Sequence, residues 1–361
     1  MKKIKRNITV LSFGDRLDYD EYKKFNKEKH LLQRQGFNYA TANYTRVLQE
    51  KLPRIRTKKV IIFLFFPFNY WNKNIEHKSY RGMYGNRVFY RKFMSFWKRI
   101  DKIIKKNFSG QEVLVINEPL LSGRYRDKRL IELRLSLAKI PVPRRHLAAH
   151  TRDIYKFLSK GDSLFLKPRY GSMGKGITYL SWSNWQTNFQ FHDDRIISRR
   201  SDHGWHFRDI TGNRTFLREL IKKDILIEEA VDSLIVKRKK FDLRIYTFFQ
   251  KCLYIYPKTN QPQEITTNIS QGGKGEPGFL QFIPKKLLAK AEKTALKAAR
   301  ALDLKLAGID IVLDRHLKDV YIVDVNVFPG FPKRRTFNLA RSMIKELTRL
   351  DNKGELFKHL K

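Results

Sequence analysis

Two short apolar runs near the C-terminal end of the chain carry acidic and amide side chains inside them. Residues 308–313 read Gly-Ile-Asp-Ile-Val-Leu, and residues 320–326 read Val-Tyr-Ile-Val-Asp-Val-Asn. Runs of this length, with a polar turn between them, predict two paired β-strands. Asp324 and Asn326 are two positions apart, so their side chains leave the same face of a strand. If the neighbouring strand carries Asp310 on that face, three oxygen-bearing side chains converge.

Carboxylates inside apolar strands predict a compensating partner. Burying an ionised carboxylate costs free energy unless another group offsets the lost hydration. Mg²⁺ prefers oxygen ligands, a few from the protein and the rest from water and phosphate. We therefore interpret Asp310, Asp324 and Asn326 as ligands of Mg²⁺, with Mn²⁺ as the alternative ion. The competing interpretation is that both aspartates are ordinary acids of an edge strand.

A second pattern is a glycine-rich turn that follows the strand predicted at residues 163–167. Gly171, Gly174 and Gly176 leave backbone N–H groups exposed, and such groups form a concave nest for phosphate. Lys167, at the end of the strand, is able to reach an anion held there. The segment lacks the GK[ST] ending of a Walker A loop, and no long helix of a dinucleotide-binding unit follows. It predicts a phosphate site of another kind, with a plain glycine hairpin as the alternative.

The charge of the chain is strongly positive. Lys and Arg total 75 against 35 acidic residues, a formal net charge of +40. A field of this sign attracts polyanions and raises their rate of encounter. We expect an acidic small molecule, peptide or polymer as substrate, with nucleic acid as a less favoured partner. The alternative is that the excess of Lys forms only a solvated surface.

Neither disulfide chemistry nor a membrane span is predicted. Cys252 is the only cysteine, so the chain cannot form an internal disulfide or a thiolate zinc cluster. The most apolar segment, residues 60–66, is far shorter than the ~20 residues that span a bilayer. The first residues lack the long apolar region of a signal peptide. We therefore expect no transmembrane segment and a cytoplasmic protein.

The order of predicted elements indicates an α/β protein with several lobes. Strands and helices alternate over residues 1–125, which predicts an open, mainly parallel α/β domain. Two α+β lobes are predicted next, at residues 126–231 with the glycine-rich turn and at residues 232–350 with the acidic strand pair. Residues 351–361 are expected to form a tail.

Residues 184–213 are rich in Trp, His, Ser and Arg and have no clear period. We expect an irregular or mobile insertion there. His203 and His206 flank Trp205, but two histidines without a third ligand do not make a zinc site. We interpret this cluster as a surface loop or a substrate contact.

The order of these motifs resembles the ATP-grasp superfamily, in particular glutathione synthetase and the ribosomal-protein glutamate ligases. The resemblance extends over residues 113–331. It implies that residues 1–125 form the pre-ATP-grasp domain, followed by the two lobes that clamp the nucleotide. Lys128, which follows Asp127, matches the Lys that touches nucleotide phosphate in that superfamily.

The resemblance implies an ATP site and assigns residues to it. Residues 227–231 are similar to the strand between the lobes, whose backbone reads adenine. Asp242 and Arg244 resemble an Asp-x-Arg motif, with the acid near ribose and the arginine near the reacting phosphate. The residues assigned to ATP are Lys128, Lys167, Gly171, Ser172, Met173, Gly174, Gly176, Glu228, Glu229, Ala230, Val231 and Asp242.

The resemblance also implies catalytic residues, and this sequence differs from the usual pattern of the superfamily at some positions. Residues 267–277 are similar to the Asn-containing glycine loop that faces substrate, so the catalytic residues implied are Arg244, Asn268 and Lys274. Asp324 stands where the superfamily usually has Glu. Residues 328–331, Phe-Pro-Gly-Phe, are similar to a motif of inositol-phosphate kinases.

These observations predict an ATP- and Mg²⁺-dependent carboxylate–amine ligase acting through an acyl phosphate on an acidic or polyanionic substrate. Lys128, Lys167 and Arg244 would supply fixed positive charge, and closure of the glycine-rich turn would exclude water. One alternative is a kinase for a phosphorylated polyol, which residues 328–331 favour. Another is a basic nucleic-acid- or ribosome-binding protein on an inactive scaffold, whose binding would fall steeply with salt.

Overall fold

The computed structural model describes residues 6–76, 83–192, 195–197, 204–317 and 319–358. The first sheet consists of β1 (Ile8–Phe13), β2 (Asn38–Ala42), β3 (Lys59–Leu64) and β4 (Glu112–Ile116). Its strands are parallel and follow the order β2-β1-β3-β4. This is the open α/β arrangement that the N-terminal sequence predicts.

Helices cover both faces of this sheet, which explains why β1 is buried along its whole length and β3 is apolar after Lys59. On one face, Val10 lies in the same core as the helix Leu339–Asn352. On the other face, Leu11 lies in the same core as the helix Arg87–Asn107. The C-terminal helix therefore completes the core of the first sheet.

The end of the chain differs from the prediction of a tail beginning at residue 351. The helix Leu339–Asn352 runs through that position, and Leu356 and Phe357 are buried in the core of the first sheet. These two side chains remove apolar surface from water, which a solvated tail does not do. Residues 359–361 lie outside the described residues, and the other predicted domain boundaries stay predictions.

The second sheet is antiparallel and carries the glycine-rich turn between two of its strands. Its six strands are β5 (Arg145–His146), β6 (Leu164–Pro168), β7 (Thr178–Leu180), β8 (Trp185–Thr187), β11 (Arg208–Asp209) and β12 (Ile225–Glu229). An adjoining two-stranded pair consists of β9 (Gln190–His192) and β10 (Arg195–Ile197). The sheet has the order β11-β8-β7-β6-β12-β5, and β9 pairs with β10. The turn joins β6 to β7.

The segment 184–213 is more regular than predicted, because its described part contains β8 to β11. Trp205 is buried, and its ring centroid lies 5.6 Å from that of Tyr84. The interpretation of a surface loop is therefore wrong at Trp205, whose ring fills the core of this lobe. His206 is exposed, and His203 lies outside the described residues.

The third sheet contains the acidic strand pair. Its strands are β13 (Ile235–Val236), β14 (Lys239–Phe248), β15 (Lys251–Asn260), β16 (Lys274–Gly275), β17 (Leu306–Leu313) and β18 (Val320–Asn326). The order is β16-β15-β14-β17-β18, with β13 paired to β14, and all pairs are antiparallel. The helix Lys285–Ala301 covers one face with Ala291, Ala295 and Ala298, which recur at helical spacing and are fully buried.

The other described helices connect strands or flank loops. They span Asp20–Lys27, Lys29–Arg34, Tyr44–Leu48, Phe68–Trp71, Asn72–Glu76 (a π-helix), Pro119–Arg124, Lys128–Leu137, Thr151–Leu158 and Arg214–Ile221, with short 3₁₀ segments at Ile269–Gln271 and Pro277–Phe282. Every helix in the described parts of the chain is too short or too polar to cross a lipid bilayer.

Candidate active site

All three sheets border one cavity of about 690 Å³. The glycine-rich turn and β12 contribute to one wall, strands β14, β17 and β18 to another, and loops of the first sheet to a third. A cavity of this size accommodates a ligand as large as a nucleotide. The predicted site residues that line it are Lys128, Lys167, Gly171, Ser172, Met173, Gly174, Glu228, Glu229, Val231, Asp242, Arg244, Asn268, Asp310, Asp324 and Asn326.

The predicted oxygen ligands come together where β17 pairs with β18. Asp310 lies directly opposite Asp324, and Gly308 lies opposite Asn326. The Asn326 Nδ2 donates a hydrogen bond to Asp310 Oδ2 at 3.2 Å. The strand pairing predicted from two apolar runs thus places both carboxylates and the amide on one wall of the cavity.

Asp310 lies at the centre of a charge network. Arg244, its cross-strand neighbour, donates from Nε to Oδ1 and from Nη2 to Oδ2, both at 2.8 Å. Lys258 Nζ lies 3.2 Å from Oδ1. Burial acts to raise the pKa of the Asp310 carboxyl, but Arg244 and Lys258 outweigh it and hold this pKa well below its usual range. The carboxyl is therefore ionised at neutral pH.

Asp324 faces Lys128, whose Nζ donates a hydrogen bond to Oδ1. Burial acts to raise the pKa of the Asp324 carboxyl, but the Lys128 ammonium outweighs it and lowers this pKa. Lys128 is the first residue of the helix Lys128–Leu137, which Asp127 caps. Arg169 donates two hydrogen bonds to the Asp127 carboxylate, at 2.8 and 2.6 Å, and so anchors this helix end.

These oxygens fit a magnesium ion that takes its remaining ligands from phosphate and water. Among the described residues, no three His, Cys, Asp or Glu side chains are grouped closely enough to hold a metal by themselves. Asp310 and Asp324 offer ionised carboxylates and Asn326 an amide oxygen, a partial set that suits a cation retaining several non-protein ligands. Asp310 already accepts three hydrogen bonds, and Lys258 lies at ion-pair distance. A metal bound to Asp310 would compete with these groups.

Lys167 and Glu228 face each other across β6 and β12. Lys167 Nζ donates to Glu228 Oε2 at 2.5 Å, and both side chains line the cavity. The Ala230 N–H donates to the carbonyl of Ser163 at 2.7 Å, so this donor is engaged within the protein. The assignment of Ala230 to the nucleotide site stays a prediction that its carbonyl would have to fulfil.

The glycine-rich turn needs glycine at two positions. Met173, Gly174 and Gly176 have φ values of 59°, 67° and 74°, a left-handed backbone conformation that residues with a Cβ rarely adopt. A Cβ on Gly176 would lie 2.5 Å from the Phe189 ring, and one on Gly174 would lie 2.6 Å from Asn268 Nδ2. Gly176 thus serves the packing of the turn, whereas Gly174 lines the cavity.

The tip of the turn contacts two other parts of the molecule. Ser172 Oγ lies 2.8 Å from the hydroxyl of Tyr84, which belongs to the N-terminal part of the chain. Ser270 donates to the carbonyl of Met173 at 3.1 Å, and the Tyr19 hydroxyl lies 3.4 Å from the Met173 sulfur. The turn is therefore held over the cavity from both sides.

Lys274 does not lie where its predicted catalytic role requires. It is exposed on β16, opposite Thr259 of β15. Side chains alternate between the faces of a strand, and Lys258, next to Thr259, faces the cavity. Lys274 therefore faces away from the cavity, whereas Asn268 from the same loop lines it.

Lys258 is a site residue that the sequence patterns did not single out. Its side chain is 3% exposed, and Nζ lies 3.0 Å from Asp242 Oδ1 and 3.2 Å from Asp310 Oδ1. Burial raises the pKa of the Asp242 carboxyl despite Lys258, and Thr267 donates to its other oxygen. The available signal was a lysine at the end of the apolar segment 252–257, because a lysine buried there requires an acidic partner.

Sequence comparison connects the chain to ATP-grasp proteins. The YheC/D like ATP-grasp family matches residues 135–350. A probable alpha-L-glutamate ligase of Cellvibrio japonicus is 25% identical over 228 residues, which are 62% of this chain and 63% of that protein. A probable alpha-L-glutamate ligase of Legionella pneumophila is 23% identical over 249 residues, which are 67% of this chain and 69% of that protein. The match thus spans less than two thirds of the Cellvibrio relative.

Solved structures with the same fold include two ATP-grasp enzymes. The ATP-grasp ligase PsnB, complexed with a phosphomimetic variant of a minimal precursor, Mg and ADP, is 13% identical with a TM-score of 0.58, covering 95% of this chain and 98% of PsnB. The D-alanine–D-alanine ligase from Bacillus anthracis, complexed with ATP, is 15% identical with a TM-score of 0.52, covering 96% and 98%. At these identities the similarity concerns the fold alone.

The resemblance inferred from the motifs is therefore confirmed at the level of fold and family. The matched residues include β6, β12, β14, β17 and β18, the strands that border the cavity. Because residues 135–350 make up more than half of its length, the chain belongs to the YheC/D like ATP-grasp family.

Proposed function

We propose that the protein uses ATP and Mg²⁺ to join a carboxylate to an amine through an acyl phosphate. The observation that supports this most is the convergence on one cavity of Lys128 and Lys167 with Arg244, Asp324 and Asn326. A triphosphate needs fixed positive charge beside it and oxygen ligands for its metal ion. The two relatives above are probable glutamate ligases, which supports ligation as the outcome.

In this proposal each charged side chain has a defined task. Lys128 and Lys167 offset the charge of the phosphates, and Arg244, oriented by Asp310, stabilises charge on the phosphoryl group that moves. A bound Mg²⁺ would supply Lewis-acid stabilisation of the phosphate oxygens. The glycine-rich turn, fixed by the contact between Ser172 and Tyr84, excludes water that would hydrolyse an acyl phosphate.

The proposed reaction has two steps. An oxygen of the substrate carboxylate bonds to the γ-phosphorus of ATP, and the bond from this phosphorus to the bridging oxygen of ADP breaks. The amine nitrogen then bonds to the acyl carbon, the carbon–oxygen bond to phosphate breaks, and the amine releases a proton. The products are an amide, ADP and inorganic phosphate.

We propose that the carboxylate substrate is an acidic peptide or polymer. Lys333 lines the cavity and is exposed, so it offers a positive charge to an acidic substrate. The net charge of +40 would draw such a substrate to the protein. PsnB has been solved with a precursor peptide, which supports a peptide in this fold.

The test is ADP release from the purified protein with ATP, Mg²⁺ and a matrix of carboxylates and amines, followed by mass spectrometry. We expect ADP and phosphate only when both substrates are present, and a product mass equal to their sum less one water. Asp324→Asn should lower the rate at least ~100-fold, since it removes a charged oxygen ligand of the proposed Mg²⁺ ion. Asp20→Asn, an exposed position outside the cavity, should leave the rate unchanged.

Two outcomes would contradict the ligase proposal. Transfer of phosphate to a hydroxyl without any amine would support the polyol kinase, for which Phe328 and Phe331 in the cavity wall are the favourable observation. Salt-sensitive binding of nucleic acid that persists in Asp324→Asn, with no ADP release from any substrate pair, would support a binding protein instead.

A further inference from the structure

The cavity includes a recess whose wall is built from aromatic rings of the N-terminal part of the chain. Tyr19 stacks on Phe68 with ring centroids 4.1 Å apart, and Phe66 lies at 5.9 Å from Tyr19. The Phe66 ring is also 5.9 Å from that of Phe328, which follows Asn326 by two residues. The recess therefore begins beside the proposed metal ligands, and its wall is largely apolar.

Glu21 places a carboxylate in the same cavity, two residues along the chain from Tyr19. It lines the cavity, and its Oε1 accepts a hydrogen bond from the Phe331 N–H at 3.1 Å. Lys24, one helical turn away, donates instead to the Phe331 carbonyl at 3.2 Å and lies 3.9 Å from Asp20. Burial raises the pKa of the Glu21 carboxyl.

Glu21 differs from the other described acids that line the cavity, each of which pairs with a lysine or arginine. The pairs are Glu228 with Lys167, Glu229 with Arg144, Asp242 with Lys258, Asp310 with Arg244 and Asp324 with Lys128. No Lys, Arg or His in the described ranges lies within ion-pair distance of Glu21. The chain nevertheless has 75 basic residues against 35 acidic ones. A carboxylate left unpaired in so basic a molecule is available to a positively charged ligand.

We propose that Glu21 binds the protonated amino group of the amine substrate and accepts the proton that its nitrogen must lose before it attacks the acyl carbon, and that the hydrocarbon part of this substrate packs on Tyr19, Phe66 and Phe68. A carboxylate and aromatic ring faces both attract an ammonium group, and an apolar wall suits the carbon chain that carries it. The inference rests on the proposed ligase function, because it assigns the recess to the amine of that reaction.

The experiment measures binding rather than turnover. Three probes share a phenylalkyl body but differ in charge: phenethylamine, phenethyl alcohol and 3-phenylpropanoate. Each is titrated calorimetrically into the full-length protein saturated with MgADP. We expect the wild type to bind the amine at least about tenfold more tightly than the alcohol, since a hydrogen bond to a charged group contributes that much.

Three variants test whether the charge of Glu21, rather than its hydrogen bond or a neighbouring charge, causes the preference for the amine. Glu21→Gln keeps an acceptor for the Phe331 N–H but removes the charge, and should reduce the preference for the amine to less than about twofold. Glu21→Asp should retain part of the preference. Asp20→Asn removes an exposed charge from the adjacent position and should leave the preference unchanged. All variants should bind MgADP like the wild type.

The inference is overturned if wild-type protein binds the alcohol or the propanoate as tightly as the amine. It is also overturned if Glu21→Gln keeps the preference, or if Asp20→Asn loses it equally. Failure of the wild type to bind MgADP would instead contradict the proposed function, so the two failures are distinguishable.

Discussion

Lys258 lies between two buried carboxylates, those of Asp242 and Asp310, with its ammonium 3.0 and 3.2 Å from their oxygens. The charge of Asp310 acts to raise the pKa of Asp242, and Lys258 opposes this effect. At the scale of the residue, the site therefore depends on a cation that contacts both acids at once.

The first prediction concerns this lysine. Lys258→Met should lower the free energy of unfolding by about 3 kcal/mol, because it leaves the buried Asp242 carboxylate without its counter-charge. Lys274→Met removes an exposed lysine from the neighbouring strand and is the matched control. Urea unfolding measures both variants, and equal stability of the two would show that the Lys258 ion pairs contribute little.

The second prediction concerns Asp324 and pH. Its pKa is lowered in the folded protein, so the stability gained from Lys128 is present above the unfolded pKa of about 4 and is lost as the pH falls through the folded pKa. The stability difference between wild type and Asp324→Asn should therefore be greatest near neutral pH and decrease below about pH 4. Urea unfolding at a series of pH values tests this, and a difference that does not change with pH would contradict it.

At the scale of the element, the glycine-rich turn is more constrained than its sequence suggests. It contacts Tyr84 on one side and the loop containing Ser270 on the other. Sequence patterns predicted its phosphate chemistry, but not these contacts, because both partners are distant in the chain.

The third prediction compares two glycines that share a left-handed backbone. Gly176 has φ of 74° and a Cβ there would lie 2.5 Å from the Phe189 ring, whereas Gly161 has φ of 85° and open space around it. Gly161→Ala should cost about 1 kcal/mol for backbone strain alone, and Gly176→Ala about 2–4 kcal/mol because a steric clash is added. Thermal or urea unfolding measures both.

The same pair of variants separates stability from ligand binding. Only Gly176→Ala should also weaken MgADP binding, because only this glycine lies in the turn over the cavity. If Gly161→Ala weakened MgADP binding to the same extent, the turn would have no special role in holding the nucleotide.

At the scale of the whole molecule, a buried glutamate joins the two ends of the chain. Glu28 is 4% exposed and accepts hydrogen bonds from Arg334 at 2.9 Å and Asn338 at 2.8 Å, with Arg341 at 3.4 Å. Burial acts to raise the pKa of the Glu28 carboxyl, but Asn338 and the two arginines outweigh it and lower this pKa. The N-terminal helices and the C-terminal helix therefore share one charge network.

The fourth prediction follows from this network. Glu28→Ala should lower the free energy of unfolding by about 3 kcal/mol, because it leaves buried donors unsatisfied. It should also speed amide hydrogen exchange in the helix Leu339–Asn352. Glu50→Ala removes an exposed acid paired with Lys106 and should change neither property. Unchanged exchange in Glu28→Ala would show that apolar packing alone holds the helix.

Local sequence patterns predicted which acidic side chains lie together in the site. The positions of the lysines depend on how distant strands pair. The convergence of Asp310, Asp324 and Asn326 was predictable, because strand periodicity and pairing of adjacent strands fix it. Lys274 was assigned to the site in place of Lys258, because the register between β15 and β16 decides which lysine faces the cavity. Such register is set by tertiary contacts rather than by composition.

The same distinction applies to the fold. Three strands of the parallel N-terminal sheet were predictable from their apolar runs, whereas β2, which reads Asn-Tyr-Ala-Thr-Ala, has no such run. The strands within residues 184–213 were not predictable either, because the buried Trp185 and Trp205 follow neither a helical nor an alternating period. The prediction of a tail was wrong at Leu356 and Phe357 for a similar reason, since the core that they join includes β1 at the opposite end of the sequence.

Docking of the helix Leu339–Asn352 onto the first sheet has a consequence for biosynthesis. The strands β1 to β4 leave the ribosome long before the helix that covers them. A nascent chain therefore exposes one apolar face of the first sheet until residue 352 has been translated. Folding that must wait for such distant segments is slow and prone to aggregation.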